Sequence, residues 1–148
     1  MISYKVGLEN IKWDKLFDLY KRVGLLKRFI ENNEYHKIQS AFKNSYKVVI
    51  AWDDEKLIGA CRMISDGICY GSVFDVGVLP EYQKKGVGKN LMNTLLEGED
   101  YIPIHLTATF GNEDFYKKLV LKSIKRLTLN IHGKLCIQKN KHVIEGVV

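Results

Sequence analysis

The residues best suited to chemistry lie between positions 73 and 91, VFDVGVLPEYQKKGVGKNL, where an apolar run stops at Leu79-Pro80 and turns through Gln83-Lys84-Lys85-Gly86-Val87-Gly88-Lys89 into a helix. Glycines at 86 and 88 let a backbone approach a ligand closely. The first turn of the following helix offers unpaired N–H groups and a partial positive charge, so the segment is built to hold an anion such as phosphate. Lys84, Lys85 and Lys89 add charge of the right sign. A Walker A loop is excluded, since Gln83 stands where its first glycine is needed and Asn90 where its Ser or Thr is needed. A dinucleotide fingerprint is excluded by Leu91 at its third small position. A second chemical candidate is Asp75, a carboxylate in an otherwise apolar strand, which is costly there unless paired or functional.

The elements that must position these residues follow from periodicity. Ser3 to Val6 reads as a strand, and Lys12 to Val23 as a helix with Trp13, Leu16, Phe17 and Tyr20 on one face and Gly24 as its stop. A loop containing Phe29 and Ile30 leads to a second helix within Glu34 to Lys43. Tyr46 to Trp52 and Lys56 to Ile64 form a hairpin about Asp53-Asp54-Glu55. Ser65-Asp66-Gly67 turns the chain into a central strand, Ile68 to Val78, in which Gly71 and Gly77 permit a bulge or a close backbone contact. A helix from Gly86 to Glu97 stops at Gly98, and a crossover makes the next strand, Ile102 to Thr107, parallel to its predecessor. A short helix over Glu113 to Leu119 precedes a last hairpin, Leu127, Leu129, Ile131 and then Leu135, Ile137 about His132-Gly133. Residues 139–148 read as a mobile tail.

Gln83-x-x-Gly86-x-Gly88 after an apolar strand resembles motif A of the GNAT superfamily of N-acetyltransferases, which wraps the pyrophosphate of acetyl-CoA. Phe115-Tyr116-Lys117-Lys118-Leu119 is similar to the F-Y-x-K-L of its motif B. Leu19-Tyr20-Lys21-Arg22-Val23-Gly24 and the L-I-G-x-x-R of Leu57 to Arg62 resemble a bacterial subgroup of small members, so the likeness spans nearly the whole chain. It implies one GNAT domain over residues 1–148. The implied fold is α+β, a mixed sheet of about seven strands with four helices, splayed between strands 4 and 5 so that a pantetheine arm can meet unpaired main-chain groups. Two departures stand out: Val120-Leu121 replaces the usual Gly-Phe after motif B, and the customary asparagine falls on Thr109, with Asn112 nearby.

The same resemblance implies direct transfer from acetyl-CoA, the acyl donor cosubstrate, to an amine. Gln83, Lys84, Lys85, Gly86, Val87, Gly88 and Lys89 would bind the cosubstrate. Val76 and Val78 are carried over for their main-chain groups, which meet the oxyanion and the cofactor amides. Tyr116 is the expected general acid for the departing thiolate. Asp75 is the expected base, because an alkylamine of pKa ~10.4 is mostly protonated at neutral pH; structural pairing is the competing role for that carboxylate. The acceptor class is a small-molecule primary amine first, a peptide amine second. A non-catalytic acyl-CoA sensor is the rival reading, and it needs neither Tyr116 nor an amine pocket.

Composition sets outer limits. With 148 residues, 46% hydrophobic and 27% charged, one core-forming domain is expected. The net charge of +6 invites a nucleic-acid partner, yet lysines alternate with acids along the chain and aromatics follow core periodicities, so none is expected. No apolar run approaches the ~20 residues of a membrane span, and the expectation is a cytoplasmic protein without membrane contact. Cys61, Cys69 and Cys136 lack metal or disulfide spacing and are each expected to pack as small apolar residues; no metal is expected. His36, His105, His132 and His142 lack the i, i+4 metal spacing. His36 with Tyr35 and Phe29 is a candidate acceptor wall by analogy with related folds. The sequence is compatible with a homodimer but does not encode an oligomeric state.

Overall fold

The structure is a computed structural model that describes residues 1–108, 111–123, 127–131 and 134–138. Thr109, His142, the His132-Gly133 turn and the tail at 139–148 lie outside them. Contacts divide the chain into two compact units, Met1–Ile64 with Phe74–Leu95, and Ser65–Val73 with the described residues from Leu96 onwards.

The first unit opens with β1 (Ile2–Val6), α1 (Trp13–Val23), α2 (Lys27–Glu31) and α3 (Tyr35–Lys43). Leu16, Leu19 and Tyr20 form the buried face of α1, while Trp13 and Phe17 stay half-buried and stack with centroids 6.2 Å apart. Each fully buried side chain of this size is worth about 1.5–3 kcal/mol against exposure. Gly24 ends α1 in the left-handed region at φ +74, its N–H donating to the Tyr20 carbonyl. The expected loop at Phe29-Ile30 is instead the helix α2, so the described residues hold five α-helices where four are expected. Five residues are too few for a periodicity to show, and burial of Ile30 fixes the turn from outside the segment.

Next come β2 (Lys47–Asp53) and β3 (Lys56–Ser65), an antiparallel hairpin closed by Asp54-Glu55 with Asp54 at φ +51. β1 runs antiparallel to β2, from Ile2↔Asp53 to Val6↔Val49. β4 (Gly71–Val78) starts three residues later than expected. The Asp66 carboxylate accepts the N–H groups of Ile68, Cys69 and Tyr70 at 2.8, 2.8 and 3.2 Å, and donors consumed by this turn cannot join a ladder. Gly77 makes the close contact expected of it, because a Cβ there would lie 3.3 Å from both Tyr20 Cε1 and Val23 Cγ2 of α1. At Gly59 of β3 a Cβ would sit 3.0 Å from the Gly77 carbonyl and 3.0 Å from Leu91 Cδ1 of α4 (Val87–Leu96). The kink in β4 falls on neither glycine but on Asp75, at φ +55.

In the second unit the start of β4 pairs in parallel with β5 (Ile104–Ala108), Gly71↔Ile104 to Val73↔Leu106. Among the described residues this register covers only those three positions of each strand. β5 is parallel to β6 (Leu127–Ile131), and β6 is antiparallel to β7 (Lys134–Gln138), so the sheet is mixed, as expected of the fold. Ile104, Leu106 and Ala108 are buried and alternate with exposed His105 and Thr107, a half-buried strand. α5 (Glu113–Ser123) continues past Leu119, as a chain with Val120-Leu121 in place of a glycine stop should. No helix of the described residues is long and apolar enough to cross a membrane.

Candidate functional site

The loop expected to cradle an anion belongs wholly to the first unit. β4 ends at Val78, and the Leu79 N–H donates to Ile58 O at 2.9 Å, which ties the turn to β3. A 3₁₀ turn over Pro80–Tyr82 follows, and Gln83 is extended, with its Nε2 donating to Val78 O at 3.0 Å. Lys84 is left-handed at φ +60 and Gly86 at φ +83. Left-handed residues spaced in this way are the backbone pattern of anion nests. The first bond into α4 is Asn90 N–H to Gly86 O at 3.0 Å, so the N–H groups of Val87, Gly88 and Lys89 precede any intrahelical acceptor. A Cβ on Gly86 would meet nothing within 4 Å; the glycine is required by its φ, not by space.

Burial separates anchor from lining. Val87, Leu91, Met92 and Leu95 are buried and fix the helix, while Gln83, Lys84, Lys85, Gly86 and Lys89 are exposed and Gly88 is half-buried. Among the described residues Lys84, Lys85 and Lys89 form no ion pair; Lys85 Nζ lies 5.6 Å from the centroid of the Tyr82 ring. The neighbouring acid, Glu81, is already neutralised by Arg22 of α1 at 2.9 Å and Lys56 of β3 at 3.1 Å. A bond from its own backbone N–H, then those from Lys56 and Arg22, hold its carboxyl down at about 2. The loop therefore presents cationic charge, with the neighbouring Glu81 carboxylate already paired. Sequence reasoning misses this device, since Glu81 among lysines reads as ordinary surface charge.

Upstream, the expected site residues of β4 are held from both sides. The Tyr20 hydroxyl, fully buried, donates to Asp75 O at 2.7 Å. Burial, ahead of the nearby Asp75 charge, raises the Tyr20 phenol well above its ordinary range, so it stays a donor. Arg62 Nε donates to Asp75 Oδ2, with side-chain exposures of 12% and 13%. The Arg62 guanidinium carbon lies 5.6 Å from the Phe42 centroid and 5.5 Å from that of Phe74. The carboxylate expected to act as a base is thus in an ion pair, which is the competing role. Val76 and Val78 are half-buried, and the Val78 carbonyl accepts from Gln83. Neither Arg62 nor Tyr20 stands out as a site residue from sequence. A signal is nonetheless present: a lone arginine in the apolar strand Leu57–Met63 and a lone aspartate in the next apolar strand can solve one another's desolvation.

Tyr116 belongs to the second unit, on α5. It is 7% exposed, and its ring meets Phe115 edge-on with centroids 4.9 Å apart. Asn112 is exposed, and its carbonyl accepts the Tyr116 N–H at 3.3 Å. His105 is exposed with its ring 6.1 Å from Tyr70, and His36 is exposed on α3. The Tyr35 ring packs at a tilt against Phe17, with centroids 4.9 Å apart. Cys61 is buried, which pushes its thiol well up, whereas Cys69 is exposed, against the expectation that it packs in a core. The Asp66 turn that delays β4 also lifts Cys69 out of the strand, and with it out of the alternation that would bury it.

Comparison with known proteins agrees with this geometry. A family model described as an acetyltransferase (GNAT) domain matches residues 44–119. An uncharacterized N-acetyltransferase, ycf52, of Pyropia yezoensis is 30% identical over 123 residues, covering 78% of this chain and 68% of that protein. The chloroplastic GCN5-related N-acetyltransferase 2 of Arabidopsis thaliana is 32% identical over 106 residues, 56% of this chain and 41% of that protein. Among solved structures, a GNAT-family acetyltransferase from Streptococcus pneumoniae superposes with a TM-score of 0.67 at 26% identity, covering 80% of this chain and 86% of that one. A glycine loop opening a helix after a kinked strand, on a mixed sheet and with these relatives, places the chain in the GNAT family of acetyltransferases.

Proposed function

We propose that the protein transfers the acetyl group of acetyl-CoA to a primary amine, on a small molecule in the first instance and on a peptide in the second. The observation that carries this reading is the turn Lys84–Lys89, with Lys84, Lys85, Gly86 and Lys89 exposed, two left-handed residues, first-turn helix N–H groups that precede any intrahelical acceptor and three lysines without ion pairs among the described residues. Its chemistry fits a diphosphate: backbone and lysine donors predominate, and the neighbouring acids are engaged, Glu81 by Arg22 and Lys56 and Asp53 by the Met1 amine and the Tyr82 hydroxyl.

In this reading the cradle takes the pyrophosphate, and main-chain groups of Val76 and Val78 bind the amides of the pantetheine arm. A neutral amine attacks the thioester carbon, a C–N bond forms, and the carbonyl electrons move to oxygen, where β4 main-chain N–H groups stabilise them. Collapse breaks the C–S bond, the thiolate takes a proton from Tyr116, the former amine loses one proton to solvent, and solvent returns a proton to the Tyr116 phenolate. Tyr116 holds this role by resemblance. Asp75 serves the strand rather than the proton, because Arg62 already engages its charge. Proximity supplies much of the rate, since the thioester is activated and needs an aligned amine more than a strong base.

The test follows free thiol from acetyl-CoA in the presence of polyamines, amino acids, aminoglycosides and peptides, with calorimetry of CoA binding alongside. Amine-dependent thiol release with CoA uptake is the expected result. Thermal stabilisation by acetyl-CoA with no release from any amine would establish the sensor reading instead, and no CoA uptake would remove both.

A further inference from the structure

We infer that Arg62 is a positioning residue for acyl transfer: by gripping the Asp75 carboxylate it holds the left-handed kink of β4 and so sets the direction of the Val76–Val78 main chain. The inference rests on the proposed function, which gives those main-chain groups the oxyanion and the cofactor amides.

A left-handed residue inside a strand breaks the ladder locally, bends the strand and re-aims the residues beyond it, as a bulge does. Here the residue is Asp75 at φ +55, although Gly71 and Gly77 of the same strand could adopt that conformation freely. An L-residue persists there only where its surroundings over-determine it. Two contacts do so: the Tyr20 hydroxyl fixes the Asp75 carbonyl, and Arg62 fixes the carboxylate. Arg62 is itself immobilised. Its guanidinium lies over the rings of Phe42 and Phe74, and one terminal nitrogen donates to Ser45 Oγ at 3.4 Å, while the Ser45 hydroxyl donates to Ala41 O at 2.8 Å. The chain of contacts thus runs from the end of α3 through β3 to the kink.

Stability alone is a poor reason for such a pair. Desolvating two charges offsets most of their attraction, and apolar residues of similar volume often serve as well. What apolar residues cannot do is fix the backbone of one particular residue in an unfavourable conformation. An aspartate whose carboxylate is held by the Nε–H of an immobilised arginine does that, and the next residue along is Val76.

The experiment compares wild type with Arg62→Met and with the double variant Arg62→Met/Asp75→Gly. Three readouts are taken: thiol release from acetyl-CoA with the fastest amine of the panel, calorimetric titration with CoA, and crystal structures giving φ at residue 75. Arg62→Met is expected to lower kcat by about 10²-fold, the scale of a reacting geometry misplaced by about 1 Å. CoA affinity should fall by less than kcat does, since Gln83–Lys89 shares no hydrogen bond with Arg62 or Asp75 among the described residues while the amide contacts of Val76 and Val78 are re-aimed, and the larger part of the loss is then in kcat. Residue 75 should leave the left-handed region. Glycine at 75 needs no clamp and leaves no orphaned charge, so the double variant should regain the kink and at least about tenfold of the lost kcat. The double variant also removes both charges, which protects the test against a single variant that fails to fold.

Unchanged kcat in Arg62→Met, or a residue 75 that stays left-handed without Arg62, overturns the inference. So does a double variant slower than the single one, which would mean that the Asp75 carboxylate itself handles a proton. Failure of the functional reading is seen separately, as wild-type protein that takes up no CoA while φ at residue 75 still responds to Arg62.

Discussion

Gly86→Ala isolates backbone conformation from every other property of the cradle. The new methyl group meets no atom within 4 Å, so no overlap contributes, and no charge or hydrogen-bonding group is lost. What remains is the cost of holding an L-residue at φ +83, about 1–2 kcal/mol by analogy with the left-handed helix region. The loop has two ways to respond. If it keeps its shape, the penalty appears in folding stability, as a fall in the thermal midpoint of about 3–8 °C for a chain of this length, with CoA affinity intact. If it relaxes, the free protein is spared and the strain must be restored on binding, which weakens CoA by about 5- to 30-fold. Solvent exposure of Gln83–Gly86 makes relaxation the easier course, so loss of affinity with little change in the midpoint is expected. Isothermal calorimetry with CoA and a thermal melt, run on the same preparations, separate the two. A variant with wild-type affinity and a wild-type midpoint would refute the reasoning, because the left-handed geometry at residue 86 would then carry no free energy in either state.

Tyr116→Phe should lower turnover at least about tenfold and leave acetyl-CoA affinity unchanged, measured by thiol release and calorimetry; equal turnover removes the general-acid role. Gly77→Ala places a methyl group 3.3 Å from Tyr20 and Val23, overpacking worth about 1–3 kcal/mol, and the thermal midpoint should fall by several degrees. Glu81 has its folded carboxyl held at about 2 against 4.5 ordinarily, so it contributes stability that is full above pH 4.5 and lost as pH falls towards 2. Glu81→Gln should flatten that part of the stability profile in urea titrations across the window, and an unaltered slope would count against the Arg22–Glu81–Lys56 bridge.

Local signals in the sequence are enough for the long elements. The 3.6-residue face of α1 and its stop at Gly24, the β2–β3 hairpin, and the helix of the glycine loop all rest on contacts among near neighbours in sequence, and they occur where expected. The errors sit where a distant contact or a single side chain decides. α2 exists because Ile30 finds a buried place, and nothing within Lys27–Glu31 announces it. The late start of β4 depends on which backbone donors the Asp66 carboxylate captures, and a turn-forming Asp-Gly pair does not state how far beyond itself its side chain reaches.

The candidate site divides along the same line. The cradle is legible because its chemistry lies in the backbone of seven consecutive residues, where glycine position dictates φ and helix onset dictates free donors. The support beneath it is not, because it is made of pairs far apart in the chain: Tyr20 with Asp75, Arg62 with Asp75, Arg22 and Lys56 with Glu81. Each such pair leaves only half a signature at each end. For Asp75 that half reads as a catalytic base, since a carboxylate in an apolar strand must be either paired or working. The partner is visible as the lone arginine of β3, and matching isolated charges of opposite sign in consecutive apolar strands weights pairing above proton transfer without any knowledge of the fold. The same match accounts for how an aspartate can stand at the kink: glycine would adopt the left-handed turn unaided, whereas an L-residue there is supported by a side chain held against a counter-charge.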